Sequence, residues 1–387
     1  MDTFDAIIIG GGIAGVSTAF QLSRRGCRAA VLERKFVAAG ATGRSSGLVR
    51  MHYDLEAEAR LAWASFEYFR HWRDRVGGAC GFTRTGFLQI VAPAYNAQLR
   101  ANVAMHQAIG IPSQVVTADE VKRLAPDFFT DDFELAAYEP ESGYADPGST
   151  AAALMAAARE RGAHLIQDCR VNTIRTSGGR VAGVETTRGD FFAPVVLNAA
   201  GAWAAEMGRL AGVELPLDTW RHEVAFIRRP PTVQSHPTVI DDPLSMYFRP
   251  ETGGLTLVAL EDGSEFGASP DGEADHVTPQ FVERVVERLC RRMPGMDAGS
   301  LKTAYTGYDG ITPDQRAIMD QAGPDGFYVA CGFSGTGFKL GPAVGACMAE
   351  LILDGRATTV DISPFTLRRF ETGRLLKGQH AYPTIWR

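Results

Sequence analysis

A glycine-rich turn between a buried strand and a helix constrains this chain more than any other feature. Residues 4–9 are mostly apolar and predict a buried parallel strand, and Gly10-Gly11-Gly12-Ile13-Ala14-Gly15 follows at once, before a predicted helix. In this pattern Gly10 permits the tight turn, Gly12 lets the backbone approach a pyrophosphate, and Gly15 lets the helix pack on the strand. The helix N-terminus then offers free N–H groups and a positive dipole end to the phosphates.

Glu33 completes this motif. It ends the second predicted strand, residues 28–33, about 20 residues after Gly12, where a carboxylate can hold a ribose hydroxyl. A carboxylate at that position also disfavours a 2′-phosphate. The sequence therefore predicts a Rossmann-like βαβ unit that binds a dinucleotide without that phosphate.

Segments of the same character recur far apart in the chain. A buried strand runs into Ala199-Ala200-Gly201-Ala202-Trp203, another runs into the glycine-rich residues 332–337, and β-rich stretches lie between them. With 387 residues the chain is long enough for two domains. We therefore predict an α/β fold of the two-domain α+β kind, in which a Rossmann-like domain carries an inserted antiparallel β-sheet domain. The predicted bounds are 1–85, 141–215 and 301–387 for the first domain, and 86–140 and 216–300 for the second.

Composition and charge exclude several classes of protein. The formal net charge is −6 at pH 7, which argues against nucleic acid as a partner and against a basic membrane-binding patch. No stretch is long and apolar enough for a membrane span, and the N-terminus lacks the basic start of a signal peptide. The six cysteines stand far apart, and no His, Cys, Asp and Glu spacing is typical of a metal site. We therefore expect a cytoplasmic protein with reduced thiols and no metal, whereas the oligomeric state stays open.

Further motifs indicate which dinucleotide is expected. The polar loop from Ala39 to Arg50 follows Glu33, and Thr312-Pro313-Asp314 precedes Gly332-Phe333-Ser334-Gly335-Thr336-Gly337-Phe338-Lys339. Together with the Ala-Ala-Gly-Ala-Trp segment, this combination resembles the D-amino-acid oxidase superfamily of FAD enzymes, nearest the sarcosine oxidase branch and its β-subunit-type relatives. The resemblance extends from residue 4 to about residue 370, and it is loose in the middle of the chain.

The resemblance implies that the first domain binds FAD and that the inserted domain binds the substrate. The polar loop would wrap the flavin and the pyrophosphate, the backbone at Val171 would meet adenine, and the C-terminal glycine-rich loop would face the pyrimidine end of the flavin. The cofactor contacts expected from the motifs and the resemblance are Gly10, Gly12, Ile13, Ala14, Gly15, Glu33, Arg34, Thr42, Arg44, Ser45, Ser46, Gly47, Leu48, Val171, Ala200, Gly201, Trp203, Gly335, Thr336, Gly337, Phe338 and Lys339.

Two positions bear on how the flavin is attached, because some members of the superfamily tether it covalently. One group uses a cysteine shortly before Thr-Pro-Asp, and the matching residue here is Gly307. Another group uses a histidine of the N-terminal loop, and Arg44 stands at that position. Neither nucleophile is present, so we predict non-covalent FAD.

Two basic residues match the substrate-carboxylate site of sarcosine oxidase. Arg50 matches its carboxylate-binding arginine, and a guanidinium fork suits a carboxylate. Lys339 matches the second carboxylate-binding residue, and its charge would also favour the anionic reduced flavin. Alternative roles stay open, namely a structural ion pair or phosphate contact for Arg50 and flavin stabilisation alone for Lys339.

Two positions depart from the pattern of the superfamily. Thr256 stands where sarcosine oxidase carries an oxygen-activating lysine, which puts a fast reaction with O2 in doubt. Asp309 stands where glycine oxidase and D-amino-acid oxidase place a carboxylate-binding arginine. An aspartate cannot bind a carboxylate there, but it can pair with a substrate ammonium, orient Arg50 or serve only as a turn residue.

Further polar residues are candidates for the substrate site. Tyr247 and Arg249 are expected to project into the pocket, with a position on the sheet surface as the alternative. His222 and His52 can each take a proton, although a lone histidine is more often structural. The predicted catalytic set is Arg50, Lys339, Tyr247, Arg249, Asp309 and His222.

The resemblance implies oxidation of a C–N bond. The expected substrate is an amino acid or N-alkyl amino acid with a secondary amine, such as sarcosine or proline, from which a hydride passes to flavin N5 to leave an imine. The electrons would then pass to O2 or to another acceptor. Two alternatives remain, the C–O oxidation of a 2-hydroxy acid and a flavin-binding subunit of a larger electron-transfer complex.

Overall fold

Strands and a helix begin the chain in the order that the glycine motif predicts. The structure is a computed structural model and describes residues 2–263, 265–272 and 276–382. The strands, numbered along the chain, are β1 (Asp2–Thr3), β2 (Ala6–Ile9), β3 (Ala29–Leu32), β4 (Leu48–Val49), β5 (Thr83–Arg84), β6 (Phe87–Ile90), β7 (Gln114–Thr117), β8 (Leu135–Glu139), β9 (Gly143–Tyr144), β10 (His164–Ile166), β11 (Val171–Ser177), β12 (Arg180–Thr186), β13 (Gly189–Phe192), β14 (Val196–Asn198), β15 (Asp218–Arg228), β16 (Thr238–Asp241), β17 (Met246–Glu251), β18 (Leu255–Leu260), β19 (Glu265–Phe266), β20 (Ser300–Ile311), β21 (Ile318–Gln321) and β22 (Phe327–Cys331).

The helices follow the predicted pattern with one interruption. They are α1 (Ile13–Arg24), α2 (Glu56–Arg70), α3 (Trp72–Arg75), α4 (Asn96–Ile109), α5 (Ala118–Leu124), α6 (Pro147–Arg159), α7 (Ala204–Leu210), α8 (Pro279–Arg292), α9 (Gly337–Asp354) and α10 (Arg368–Glu371). The backbone leaves helical geometry at His71, which separates α2 from α3. Among the described residues, no helix combines the length and apolar character that crossing a bilayer requires.

A six-stranded sheet forms the centre of the first half of the fold. Its order is β10–β3–β2–β14–β22–β21, and every pair is parallel except the antiparallel pair of β21 with β22. All residues of β2, β3, β14 and β22 are buried, as expected for parallel strands covered on both faces. The chain leaves β2 toward β3 on one side, while β14 lies on the other side. A crevice therefore opens at the carboxyl ends of β2 and β14, the usual ligand position in open α/β sheets.

Layers on both faces bury this sheet. Residues of α1, α2, α6 and α9 form an apolar core on one face, and β11 to β13 with α7 cover the other. Helices α1 and α9 approach so closely that a Cβ at Gly345 would lie 2.4 Å from the Ser17 carbonyl carbon. Glycine is therefore required there for the two helices to pack.

A second, larger sheet stands beside the first. Its order is β19–β15–β18–β17–β16–β6–β8–β7, and β20 pairs with β15 as well. The pairs are antiparallel except for the parallel pair β6–β16, so the sheet is mixed where the sequence predicts an antiparallel one. One face packs under α8, and the other carries a second apolar cluster that includes Leu48 of β4.

The predicted domain bounds stay a prediction, and one strand bears on them. We placed residues 301–387 with the dinucleotide-binding segments. Strand β20 pairs with β15 from Ser300 to Ile311, so these residues extend into the large sheet.

Candidate active site

A long cavity begins at the carboxyl ends of β2 and β14 and extends to the face of the large sheet. It is lined by most of the residues that the sequence analysis predicts as cofactor contacts, namely Gly10, Gly12, Ile13, Ala14, Glu33, Arg34, Thr42, Arg44, Ser45, Ser46, Leu48, Val171, Ala200, Gly201, Trp203, Gly335, Thr336, Gly337, Phe338 and Lys339. The cofactor role of each of these residues stays a prediction, but the fold brings them together from five separate parts of the chain.

The turn after β2 packs against the strand end at Ala199 because Gly10 lacks a side chain. Gly10 has a φ of +112°, and a Cβ there would lie 2.5 Å from the Ala199 carbonyl oxygen. Gly12 is the N-cap of α1 and has no side chain to cap it, while the Thr42 hydroxyl accepts a hydrogen bond of 3.0 Å from the Ile13 N–H. The first turn of α1 therefore presents its N-terminal end to the cavity.

The carboxylate of Glu33 is fixed at the edge of this turn. Its Oε2 accepts a hydrogen bond of 2.8 Å from the Gly11 N–H, and its Oε1 accepts one of 2.8 Å from the Lys35 N–H. Each carboxylate oxygen keeps further acceptor capacity toward the cavity. This geometry suits the predicted contact with a ribose hydroxyl.

Three of the predicted residues lie outside the cavity lining. A Cβ at Gly15 would lie 2.0 Å from the Gly10 carbonyl oxygen, and one at Gly47 would lie 2.2 Å from the Ala145 carbonyl oxygen, so both glycines serve close backbone packing. The prediction that Arg249 projects into the pocket is wrong. Its Nε donates to the Ser46 carbonyl and its Nη1 lies 2.9 Å from a carboxylate oxygen of Glu251, so it braces the loop behind the wall.

Two cations, Arg50 and Lys339, stand together at the inner end of the cavity. Arg50 follows β4, which pairs with β9, and Lys339 lies in the first turn of α9. The Arg50 guanidinium lies 4.4 Å from the ring centroid of Tyr53 and donates to the His52 carbonyl, and Lys339 Nζ lies 6.0 Å from the same ring. Burial and the charge of Arg50 hold the pKa of Lys339 well below its usual range, against the opposing pull of nearby carboxylates. An anion bound beside both cations would relieve their repulsion.

Asp309 and His222 lie on neighbouring strands beside Lys339. Asp309 of β20 is opposite Trp220 of β15, and His222 is opposite Gly307. Burial raises the pKa of Asp309, while the charges of His222 and Lys339 act in the opposite direction. Burial also lowers the pKa of His222, against the attraction of Asp309. Asp309 thus has His222 and Lys339 as its charged neighbours, and its predicted pairing with a substrate ammonium or with Arg50 stays a prediction.

Tyr247 completes the part of the predicted catalytic set that lines the cavity. It lies on β17, and burial raises the pKa of its phenol. The fold therefore brings five of the six predicted catalytic residues to one cavity, namely Arg50, Lys339, Tyr247, Asp309 and His222. Their catalytic roles stay predictions.

Thr256 corrects a further expectation. Its hydroxyl accepts a hydrogen bond of 3.1 Å from Arg229 Nη1 and lies 2.9 Å from His236 Nε2, on the face of the large sheet that carries α8. The next residue, Leu257, belongs to the apolar cluster on the opposite face. Side chains alternate between the faces of a strand, so the prediction that Thr256 stands beside the flavin is wrong. It carries no information on the reaction with O2.

Other cavity residues were missed by sequence reasoning. Trp220, Thr306 and Tyr308 line the cavity from β15 and β20. The alternation of Trp220 with His222 along β15 is a signal that could have found the tryptophan. Pro270 comes from the segment after β19, for which the sequence offers no such pattern.

That segment reaches back to the first domain through Asp271. Its carboxylate lies 2.7 Å from Arg34 Nη2 and accepts a hydrogen bond of 3.1 Å from Trp203 Nε1, while the Arg34 guanidinium lies 4.0 Å from the Trp203 ring centroid. Arg34 and Trp203 are predicted cofactor contacts. The segment therefore covers the outer part of the cavity.

A sequence comparison decides the family. The sequence model of the DAO family, described as FAD dependent oxidoreductase, matches residues 5–351. This chain belongs to the DAO family of FAD-dependent oxidoreductases. Its cofactor is FAD, and its mixed α/β fold is the DAO fold, as the sequence predicts.

Individual members of the DAO family are similar over nearly the whole chain. Human mitochondrial sarcosine dehydrogenase is 31% identical over 383 residues, which cover 95% of this chain and 41% of that protein. The chain thus spans less than half of the length of that relative. Glycine oxidase of Geobacillus kaustophilus is 27% identical over 95% of this chain and 97% of its own length. The crystal structure of L-proline dehydrogenase from P. horikoshii superposes with a TM-score of 0.90 at 26% identity, covering 97% of this chain and all of that one.

The described residues fit FAD. Glu33 would hold the ribose. The first turn of α1 and the glycines before it, Gly10 and Gly12, would hold the pyrophosphate. The N-terminus of α9 carries no side-chain cap, and it lies at the same end of the cavity as Arg50. Its positive end suits the negative charge that a reduced flavin carries.

Proposed function

We propose that this DAO-family member oxidises the C–N bond of an amino acid or N-alkyl amino acid, with secondary amines such as sarcosine and proline as the preferred class. The observation that carries this proposal is the pair of buried cations, Arg50 and Lys339, beside Asp309 and His222 at the inner end of the FAD cavity. One side of this group suits a carboxylate and the other suits an amine. The names of the relatives, sarcosine dehydrogenase and L-proline dehydrogenase, support the same class.

The two cations would fix the substrate by its carboxylate. Arg50 offers a planar fork and Lys339 a compact charge, and burial strengthens both interactions. The α-carbon and the nitrogen would then lie between the carboxylate site and the large sheet. FAD, when bound, accepts the hydride that leaves the carbon beside the nitrogen.

His222 would take the proton of the substrate ammonium. An amine must be neutral to give up a hydride from its α-carbon, and the lowered pKa of His222 keeps its imidazole neutral and able to accept a proton. Asp309 would stabilise the imidazolium that results, because its carboxylate already attracts His222. The imine product would leave for hydrolysis or, from a cyclic amine, leave intact.

Anaerobic mixing of the FAD-loaded protein with a substrate panel tests this proposal. We expect sarcosine, proline or a related N-alkyl amino acid to bleach the flavin absorbance band at about 450 nm. Admitting air afterwards shows whether O2 accepts the electrons. Bleaching by a 2-hydroxy acid but by no amine would contradict C–N oxidation in favour of C–O oxidation. No bleaching by any member of either class would favour a subunit that works only within a larger complex.

FAD is expected to leave the protein on acid precipitation. Gly307 and Arg44 stand at the two positions where relatives attach the flavin, and a Cβ at Gly307 would lie 3.3 Å from Cβ of Arg44. Neither side chain can form the bond. The measurement is flavin absorbance in the supernatant and in the washed pellet, and a yellow pellet would contradict the prediction.

A further inference from the structure

Three buried side chains behind Arg50 come together from distant parts of the sequence. His52 follows β4, His106 lies in α4 and Glu139 ends β8, and all three are fully buried. One nitrogen or oxygen atom of each lies within 4.8 Å of the corresponding atoms of the other two. None of the three lines the cavity described above. The proposed oxidation does not use them.

Each of these side chains has an atom without a hydrogen-bond partner among the described residues. These atoms are Nδ1 of His52, Nδ1 of His106 and Oε1 of Glu139. A buried polar atom without a partner is costly, and it calls for an occupant. All three residues of the cluster carry such an atom, so one occupant shared by the cluster is a natural partner.

The other polar atom of each side chain is held by the protein. Nε2 of His106 lies 2.7 Å from the Tyr53 carbonyl oxygen and Nε2 of His52 lies 3.0 Å from the Tyr382 hydroxyl. With the proton on each Nε2, both Nδ1 atoms are lone-pair acceptors. Oε2 of Glu139 accepts hydrogen bonds of 2.9 Å from the Met51 N–H and 2.6 Å from the Ser142 hydroxyl.

This arrangement is how proteins prepare metal ligands. A ligating histidine donates its second ring N–H to a carbonyl or another polar group, and a ligating carboxylate is itself hydrogen-bonded. Two imidazole nitrogens and a carboxylate oxygen form a donor set that Zn²⁺ and similar divalent cations accept.

Acidic and basic side chains of the same number surround the cluster. Arg50 faces the cluster, and Glu139 offsets its charge. Next to them Arg316 pairs with both Asp54, at 2.6 Å, and Glu58. With Lys339, which interacts with both Arg50 and Glu58, this region holds three carboxylates and three basic side chains among the described residues.

We propose that His52, His106 and Glu139 bind a divalent cation of the Zn²⁺ type in a structural site. The metal would join the segment that carries Arg50 to α4 and β8. It would thereby hold Arg50 in place without touching the substrate. The spacing of the three ligands in the sequence is too wide to be read as a metal motif.

Metal analysis of the FAD-loaded protein tests the proposal. The protein is produced with added Zn²⁺, passed through gel filtration in metal-free buffer and analysed for first-row metals, and we expect about one metal ion per chain. Glu139→Gln and His106→Gln are expected to lower this content to about a tenth or less. His236→Gln is the matched control, because His236 is buried but both its ring nitrogens lie within hydrogen-bond distance of partners. Its metal content is expected to equal that of the wild type.

A second measurement keeps the test valid if a variant fails to fold. Prolonged chelation of the wild type is expected to lower its Tm by about 2 °C or more, and Zn²⁺ but not Mg²⁺ should restore it. Metal well below one equivalent together with a Tm indifferent to chelation and Zn²⁺ would overturn the site, in favour of ordered water. Metal content unchanged in both ligand variants would overturn it as well. Neither outcome depends on which substrate the flavin oxidises.

Discussion

Replacing Arg50 by lysine is expected to raise KM for the amino-acid substrate by about 10²-fold or more, with a smaller fall in kcat. Lysine keeps the charge but loses the planar fork that can hold both carboxylate oxygens. A charge-assisted hydrogen bond in a buried site contributes about 1.5–3 kcal/mol, and about 1.4 kcal/mol corresponds to a tenfold change in affinity. Steady-state kinetics over a range of substrate concentrations measure both constants.

A spectroscopic measurement separates binding from chemistry in the Arg50→Lys variant. A non-reactive carboxylate should perturb the flavin absorbance of the wild type, and the concentration needed should rise about as much as KM does. Arg60→Lys is the control, because Arg60 is exposed and pairs with Glu56 one turn earlier in α2. Unchanged KM in Arg50→Lys with full FAD content would contradict a carboxylate site at Arg50.

Replacing Lys339 by methionine is expected to raise KM by about tenfold to 10²-fold and to remove a pH dependence of KM. Burial and Arg50 hold the pKa of Lys339 well below its usual range in the free protein. Below that pKa the ammonium is charged and attracts the carboxylate, whereas above it the neutral amine does not. KM of the wild type should therefore rise as the pH rises through the pKa of Lys339, and substrate binding should take up a proton.

The role of Arg50 in this titration gives the prediction a second test. Removing the guanidinium in Arg50→Gln removes the repulsion that lowers the pKa of Lys339, so the rise in KM should move to higher pH. Carboxylate binding measured by flavin absorbance from pH 6 to pH 10, about the range between the usual pKa values of histidine and lysine, checks this shift. If Lys339→Met keeps the pH dependence of the wild type, another group is responsible, and His222 is the first to examine.

The site shows which residues sequence motifs can predict and which they cannot. Arg50 and Lys339 could be proposed from their positions in a recognisable loop and helix start, and both line the cavity. Of the site residues predicted in the β-rich middle of the chain, one lines the cavity and another does not. Tyr247 lines the cavity, whereas Arg249, on the same face of the same strand, turns toward Ser46 and Glu251 instead. The partners of a long side chain depend on the tertiary fold, so its position on a strand does not by itself predict where its charged end lies.

Thr256 shows the same limit for strand register. Assigning it to the flavin side required knowing which face of β18 points inward, and a shift of one residue reverses that face. Both faces of β18 are buried, so its sequence lacks the polar and apolar alternation that would reveal the register. Only the pairing of β18 with β15 and β17 decided the question.

Residues close together in the sequence were enough to predict the dinucleotide-binding unit at the start of this protein. The first strand, the three glycines, the helix start and Glu33 lie within about 30 residues of one another. Their spacing alone therefore predicted a dinucleotide site, and the further motifs pointed to FAD. The sequence could not place His52, His106 and Glu139 together, nor set Asp309 beside His222 and Lys339. Asp309 and His222 meet through the pairing of β15 with β20, and the other groups meet only in the tertiary fold, because their contacts join residues far apart in the chain. The fold, through burial and neighbouring charge, then set the pKa shifts on which the proposed chemistry depends.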